Sequence, residues 1–200
     1  MKIIPLSPQA IIEAVAILKA GKVAVIPTET AYGLAGDFFN KSAYQKIYAI
    51  KGRAWSKPLS AIVSKQEQLV GLVDWPEIAQ VLAQRYWPGP LTLILPLTQK
   101  AKAKLIHHHS DNLAVRQSSQ PLANALAEQF ILISATSANL SGQGELYRTV
   151  DVIEQFQQAE IQPDLVIDAG NLPPLPPSTI IDCSGQTPVV ARQGSIIVSL

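Results

Sequence analysis

The apolar positions of this chain recur in short blocks whose period changes along its length. Ile11, Val15 and Leu18, flanked by Ile12 and Ala16, repeat at helical spacing. Ser7-Pro8 stands before them as an N-cap with proline at the first helical position, and Gly21 closes the run. Lys22–Ile26 reads as a buried strand stopped by Pro27. Asn40 caps a predicted helix carrying Ala43, Ile47 and Ile50 on one face. A strand near Leu59–Val63 follows, then helices near Gln66–Val73 and Pro76–Trp87. Leu91–Leu97 is the longest strand signal, entered through Pro88-Gly89-Pro90. Leu113–Arg116 and Phe130–Ser134 bracket a helix that starts at Pro121. Asp151–Gln158 is helical, and Leu165–Asp168, Thr179–Cys183, Val189–Ala191 and Ile196–Val198 are short strands. Between the first two of these strands lies the proline-rich loop Asn171–Pro177. Strands and helices alternate and then strands dominate, which predicts an α/β fold with one twisted, mixed sheet.

At 200 residues the prior is a single domain. No apolar run approaches the ~18 residues of a membrane span, and no secretory signal pattern is evident, so a cytoplasmic setting is expected. One cysteine, Cys183, excludes an internal disulfide or a cysteine-rich zinc site, and it reads as a small buried residue of a strand. Charged residues make up only 16% and the net charge is +1. That balance argues against a surface built to bind nucleic acid or anionic lipid throughout. The five arginines are residues 53, 85, 116, 148 and 192; Arg85 and Arg148 are expected at the surface.

Four segments carry candidate chemistry. Pro27-Thr28-Glu29-Thr30-Ala31-Tyr32-Gly33-Leu34 follows a strand and offers two hydroxyls where α/β sheets place ligands. Lys51-Gly52-Arg53-Ala54-Trp55-Ser56-Lys57 sets three cations in seven residues, suited to phosphate or carboxylate. Ser134–Gly142 is rich in small polar side chains, and an extended Ser137–Asn139 would project both on one side. Ser178 and Arg192 stand on successive strand signals. Phosphate-loop, dinucleotide and nucleophile-elbow motifs are absent from the sequence. His107-His108-His109 lacks metal-ligand spacing and, after Lys100, Lys102 and Lys104, reads as a solvated polar loop.

In this order the blocks PTETAYGL (27–34), KGRAWSKPL (51–59), WPGPLTLIL (87–95), LAVR (113–116), SATSANLSG (134–142), STIID (178–182) and ARQG (191–194) resemble the YrdC/TsaC family of threonylcarbamoyl-AMP synthases. The resemblance implies one YrdC-like domain over residues 7–198, the short form without an extra C-terminal domain. It implies a mixed parallel and antiparallel open sheet with flanking helices around a large cationic cavity. The implied reaction joins L-threonine, bicarbonate and ATP into L-threonylcarbamoyladenylate and pyrophosphate, which t6A-transferase proteins then use on tRNA. By the family's K-x-R and S-x-N elements, Lys51, Arg53, Ser137 and Asn139 are the catalytic candidates. Arg53, Lys57, Ser137, Asn139 and Arg192 are expected at ATP and carbonate, with Lys51 over the reacting centre. Thr30, Arg116 and Ser178 are expected at threonine. Mg²⁺ is expected on the phosphates, with no protein ligand assigned. Ile62 stands where the family often has histidine, and the 117–120 and 171–177 loops differ from the family pattern. Alternative readings are an RNA-binding module of the same fold, or a YciO-like paralogue that binds nucleotide without threonine.

Overall fold

The structure, a computed structural model, describes residues 1–105 and 107–199. Eleven strands and six α-helices are present among them, in the order β1 (Lys2–Pro5), α1 (Pro8–Lys19), β2 (Ala24–Pro27), β3 (Tyr32–Ala35), α2 (Lys41–Lys51), β4 (Ala61–Val63), α3 (Glu77–Tyr86), β5 (Leu91–Pro96), α4 (Gln99–Lys104), β6 (Asn112–Gln117), α5 (Pro121–Ala127), β7 (Ile133–Ser134), β8 (Thr136–Ser137), α6 (Thr149–Phe156), β9 (Leu165–Asp168), β10 (Thr179–Asp182) and β11 (Val189–Arg192). The mixed α/β layout is as the sequence predicts, with the strands divided between two mixed sheets. One runs β1-β9-β2-β3-β8 and the other β11-β10-β5-β6-β4-β7.

Residues 133–137 couple the two sheets. β7 pairs antiparallel with β4 in the second sheet, and after Ala135 the chain becomes β8, antiparallel to β3 in the first. Gly36 N–H donates to Ser134 Oγ at 2.9 Å, and Ala135 N–H donates to the Ser60 carbonyl at 2.8 Å. The chemistry-bearing segment 134–139 therefore sits at the seam, with backbone partners from both sheets.

The helix boundaries follow from their caps. Ser7 Oγ accepts from Ala10 N–H at 3.2 Å, and the Lys22 and Gly21 N–H groups bond the Ile17 and Leu18 carbonyls past the end of α1. Asn40 Oδ1 accepts from Ala43 N–H, starting α2 where the sequence puts it. Ala10, Ala14 and Leu18 of α1 and Leu122, Ala123 and Leu126 of α5 bury against Ile26, Ile62, Ile133 and Ile167. A larger core lies around Val25, Leu34, Ile47, Leu93, Val115 and Phe156.

Several predicted elements differ. Tyr32–Ala35 is a strand where the sequence reads as a turn, because β2 turns straight back through residues 28–31 to pair with it. β1, β8 and α4 were not predicted, and Ile196–Val198 forms no strand. The expected helix 66–73 shortens to a 3₁₀ turn at Gln66–Leu69. Cys183 is buried directly after β10, where burial raises its thiol to about 11. Arg85 and Arg148 are exposed, as expected.

The histidine run is not a solvated loop. His107 and His108 are buried, and only His109 is exposed. His107 Nε2 donates to the Phe38 carbonyl at 2.9 Å and His108 Nε2 to the Asn112 carbonyl at 2.9 Å, since a carbonyl only accepts. His108 Nδ1 is thereby left to accept from the Tyr44 hydroxyl at 2.8 Å. The aromatic neighbours Phe38 and Tyr44 supply the packing that a run of lysines before the histidines disguised. Burial pushes the His108 imidazole below its ordinary value of 6.5. The unfolded chain therefore takes up a proton at a higher pH than the folded one, and stability falls as pH drops through 6.5. A thermal unfolding series from pH 8 to 5 should show this loss. His108→Asn should cost about 1–3 kcal/mol at pH 7 and flatten the dependence between pH 7 and 5.

Candidate active site

Helix α2 ends inside the site. Gly52, at φ 56°, takes the left-handed conformation that stops the helix, and Arg53 N–H bonds the Tyr48 carbonyl at 3.1 Å. This reversal separates the two cations of Lys51-Gly52-Arg53. Lys51 stays on the last turn, 3% exposed, while Arg53 swings out to the wall of a cavity of about 330 Å³.

The Lys51 ammonium meets three oxygens: the Ser137 carbonyl at 2.5 Å, the Asn139 carbonyl at 2.7 Å and Asn139 Oδ1 at 2.8 Å. Ser137 Oγ donates to the same Oδ1 at 2.6 Å. Asn139 Nδ2 completes the network by donating to the Gln143 and Gly144 carbonyls. Asn139 is therefore a hub of the 137–144 loop. Burial, reinforced by the Arg53 charge and opposed by Glu145, lowers Lys51 to about 8.

The cavity is lined by residues from both sheets. The turn after β2 contributes Thr30, β6 contributes Arg116, β8 contributes Ser137, the residue before β10 is Ser178, and β11 ends in Arg192. Thr28 shapes the turn: its hydroxyl accepts from the Thr30 and Ala31 N–H groups and donates to the Ala31 carbonyl at 2.7 Å. Arg192 donates from Nε and Nη2 to the Ser178 carbonyl at 3.1 and 2.8 Å, and Ser178 Oγ lies 2.8 Å from Thr92 Oγ1. Arg53 donates to the Lys57 and Pro58 carbonyls at 2.8 and 3.1 Å. All of these are neutral acceptors, so neither the Arg53 nor the Arg192 guanidinium is paired directly with a carboxylate.

Of the nine residues singled out from the sequence, six line the cavity: Thr30, Arg53, Arg116, Ser137, Ser178 and Arg192. Lys51 and Asn139 are buried and reach the lining through their bonds to Ser137. Lys57 is exposed, joined to the site through its carbonyl, which also accepts from the Tyr48 hydroxyl at 2.9 Å. Two carboxylates went unnoticed in the sequence. Glu145 is half-buried in the lining, three residues past the SATSANLSG block. Glu29, inside the PTET block, lies with Oε1 2.9 Å from Arg116 Nε, at an angle short of a hydrogen bond. The signal available for both was their place within or beside a polar block. Ile62 is fully buried in the core shared by α1 and α5 and does not line the cavity. Among the described residues no group of three or more His, Cys, Asp or Glu side chains could hold a metal ion.

Two sheets joined at a seam thus draw three arginines and several hydroxyls into one cavity whose chemistry suits anionic ligands. The chain belongs to the Sua5/YciO/YrdC family: residues 16–194 match the Sua5_yciO_yrdC profile, described as "Telomere recombination". It is 36% identical over 190 residues to a threonylcarbamoyl-AMP synthase of Bacillus subtilis, covering 93% of this chain and 54% of that one. It is 31% identical to a putative threonylcarbamoyl-AMP synthase of Mycobacterium tuberculosis, covering 94% and 85%. The chain thus spans about half the length of the Bacillus relative and most of the mycobacterial one. Among solved structures, Pyrococcus abyssi Sua5 complexed with L-threonine superposes with a TM-score of 0.84 at 33% identity, covering 96% of this chain and 56% of that one. Escherichia coli YciO superposes at 0.83 and 28% identity, covering 96% and 94%.

The end of β11 has little room. A Cβ at Gly194 would lie 2.1 Å from the Pro177 carbonyl oxygen and 2.5 Å from the Ser178 carbonyl carbon. Gly194→Ala should therefore force β11 and the 171–177 strap apart and cost about 1–3 kcal/mol in denaturant unfolding. Unfolding indistinguishable from the parent chain would contradict this close approach.

Proposed function

We propose that this chain forms L-threonylcarbamoyladenylate and pyrophosphate from L-threonine, bicarbonate and ATP. The observation that carries the reading is the convergence of Arg53, Arg116 and Arg192, spread over 140 positions, on one cavity with Thr30, Ser137 and Ser178. All three substrates bring carboxylate, carbonate or phosphate charge, and such a wall lowers the cost of assembling them. The names of the Bacillus and mycobacterial relatives, and the threonine bound to the Pyrococcus protein, support the same assignment.

In this reading Arg53, Ser137 and Arg192 take the nucleotide and carbonate, and Thr30, Arg116 and Ser178 take threonine. Once the threonine amine has joined bicarbonate with loss of water, or carbon dioxide with loss of a proton, a carbamate oxygen attacks the α-phosphorus. The bond to the β-phosphate oxygen breaks and pyrophosphate leaves. This needs alignment and charge stabilisation rather than a nucleophilic side chain. Lys51 and Asn139 serve by fixing Ser137 and the 143–144 backbone. Lys57 supplies an exposed charge beside the phosphates. Mg²⁺ would arrive on the nucleotide and add positive charge to its phosphates. The adenylate would then pass to t6A-transferase proteins that act on tRNA, in the cytoplasm. No described helix is long and apolar enough to cross a membrane.

The test is pyrophosphate release with ATP and bicarbonate, with and without each amino acid. Threonine-dependent release is expected. Nucleotide binding without threonine dependence would favour the YciO-like reading, and salt-sensitive RNA binding without turnover would favour an RNA-binding module. Arg53→Ala should lower turnover about 10²–10³-fold, as expected for one lost charge-stabilising donor. Lys51→Ala should cost at least as much by releasing the 137–144 loop, and near-parental rates for either would contradict the assignment.

A further inference from the structure

Three arginines in one cavity raise a problem of sorting, because each attracts a polyphosphate more strongly than a carboxylate. The structure treats Arg116 differently from the other two. Its side chain is 10% exposed and pairs with the Glu29 carboxylate, itself 12% exposed, at 2.9 Å. Ser118 Oγ, two residues along from Arg116, donates to the second Glu29 oxygen and holds the carboxylate in place. Neither Arg53 nor Arg192 takes part in any of the five ion pairs among the described residues. Their donors go to backbone carbonyls and a hydroxyl. Glu145 reaches Lys51 and Arg192 through its field, without an ion pair to either.

We infer that Glu29 divides the cavity by charge, making the Arg116 end a receptor for a single carboxylate and leaving polyphosphate to Arg53 and Arg192. A monoanion meets a guanidinium whose charge is already partly balanced, which suffices for one carboxylate. A second or third negative charge at the same place meets Glu29 at close range in a poorly solvated wall, and is repelled. Glu29 is thus a specificity-determining residue that acts through Arg116, with Ser118 as its anchor. The inference rests on the proposal that Arg116 receives the amino acid's carboxylate.

Calorimetric titration of the full chain with L-threonine, with and without saturating inorganic pyrophosphate and no ATP, tests it. In the parent chain, pyrophosphate should leave threonine affinity within about twofold, because the two anions occupy different ends. In Glu29→Gln, pyrophosphate should compete and weaken apparent threonine binding about tenfold or more. Glu29→Asp, which keeps the negative charge beside Arg116, should retain the parental pattern, so a lost charge is distinguished from a general loosening of the wall. Competition in the parent chain would overturn the inference whether or not Glu29→Gln folds, as would absence of competition in a folded Glu29→Gln. A parent chain that binds pyrophosphate and no threonine would overturn the functional reading itself, and this inference with it.

Discussion

A buried ammonium with three oxygen acceptors organises this molecule's site. Removed from water, the Lys51 charge is costly unless every proton it carries finds a partner. The Ser137 carbonyl, the Asn139 carbonyl and the Asn139 amide oxygen use all three. The same contacts fix a loop that would otherwise be a string of small polar residues without packing of its own. Burial and the Arg53 charge disfavour the ammonium while the three acceptors need it, so the lysine is drawn toward neutrality without losing its charged role near pH 7.

The location of that loop gives the interaction its reach. Residues 133–137 belong successively to both sheets, so an anchor at Ser137 and Asn139 sets the spacing between a wall built on β3 and one built on β4 to β6. Gly52 lets a single helix end serve both purposes, with Lys51 facing the loop from behind and Arg53 facing the cavity. On the far side, the Arg192–Ser178 contacts and the close approach at Gly194 hold β11 against the strap. The cavity is therefore a product of long-range contacts, with no one segment able to form it alone.

Much of this was legible in the amino-acid order because its causes are local. Ser7-Pro8 and Asn40 mark helix starts through side-chain bonds to the next turn, and the apolar run 91–97 could only be a buried strand. In a chain with so few charges, arginines lying in polar blocks at the ends of a helix and of strands pointed to an anion site. What escaped the sequence depends on distant partners. Tyr32–Ala35 is a strand because β2 and β8 flank it, which no local period reveals. His107 and His108 looked solvated beside three lysines, and only the Phe38 and Tyr44 rings across the fold make them core. Glu29 pairs with a residue 87 positions away, and the Lys51 ammonium finds its acceptors 86 and 88 positions along the chain. Local chemistry is visible in sequence; which side of a wall a side chain serves is decided by topology.

Titration of the Lys51 side chain by NMR, using selectively ¹³C-labelled lysine with Lys51→Met for assignment, tests the central claim most directly. A buried ammonium with Arg53 beside it should lose its proton near pH 8, well below the ~10.4 of a solvated lysine. Titration at the ordinary value, together with rapid solvent exchange, would place the amine in water and contradict the account of how the site is held.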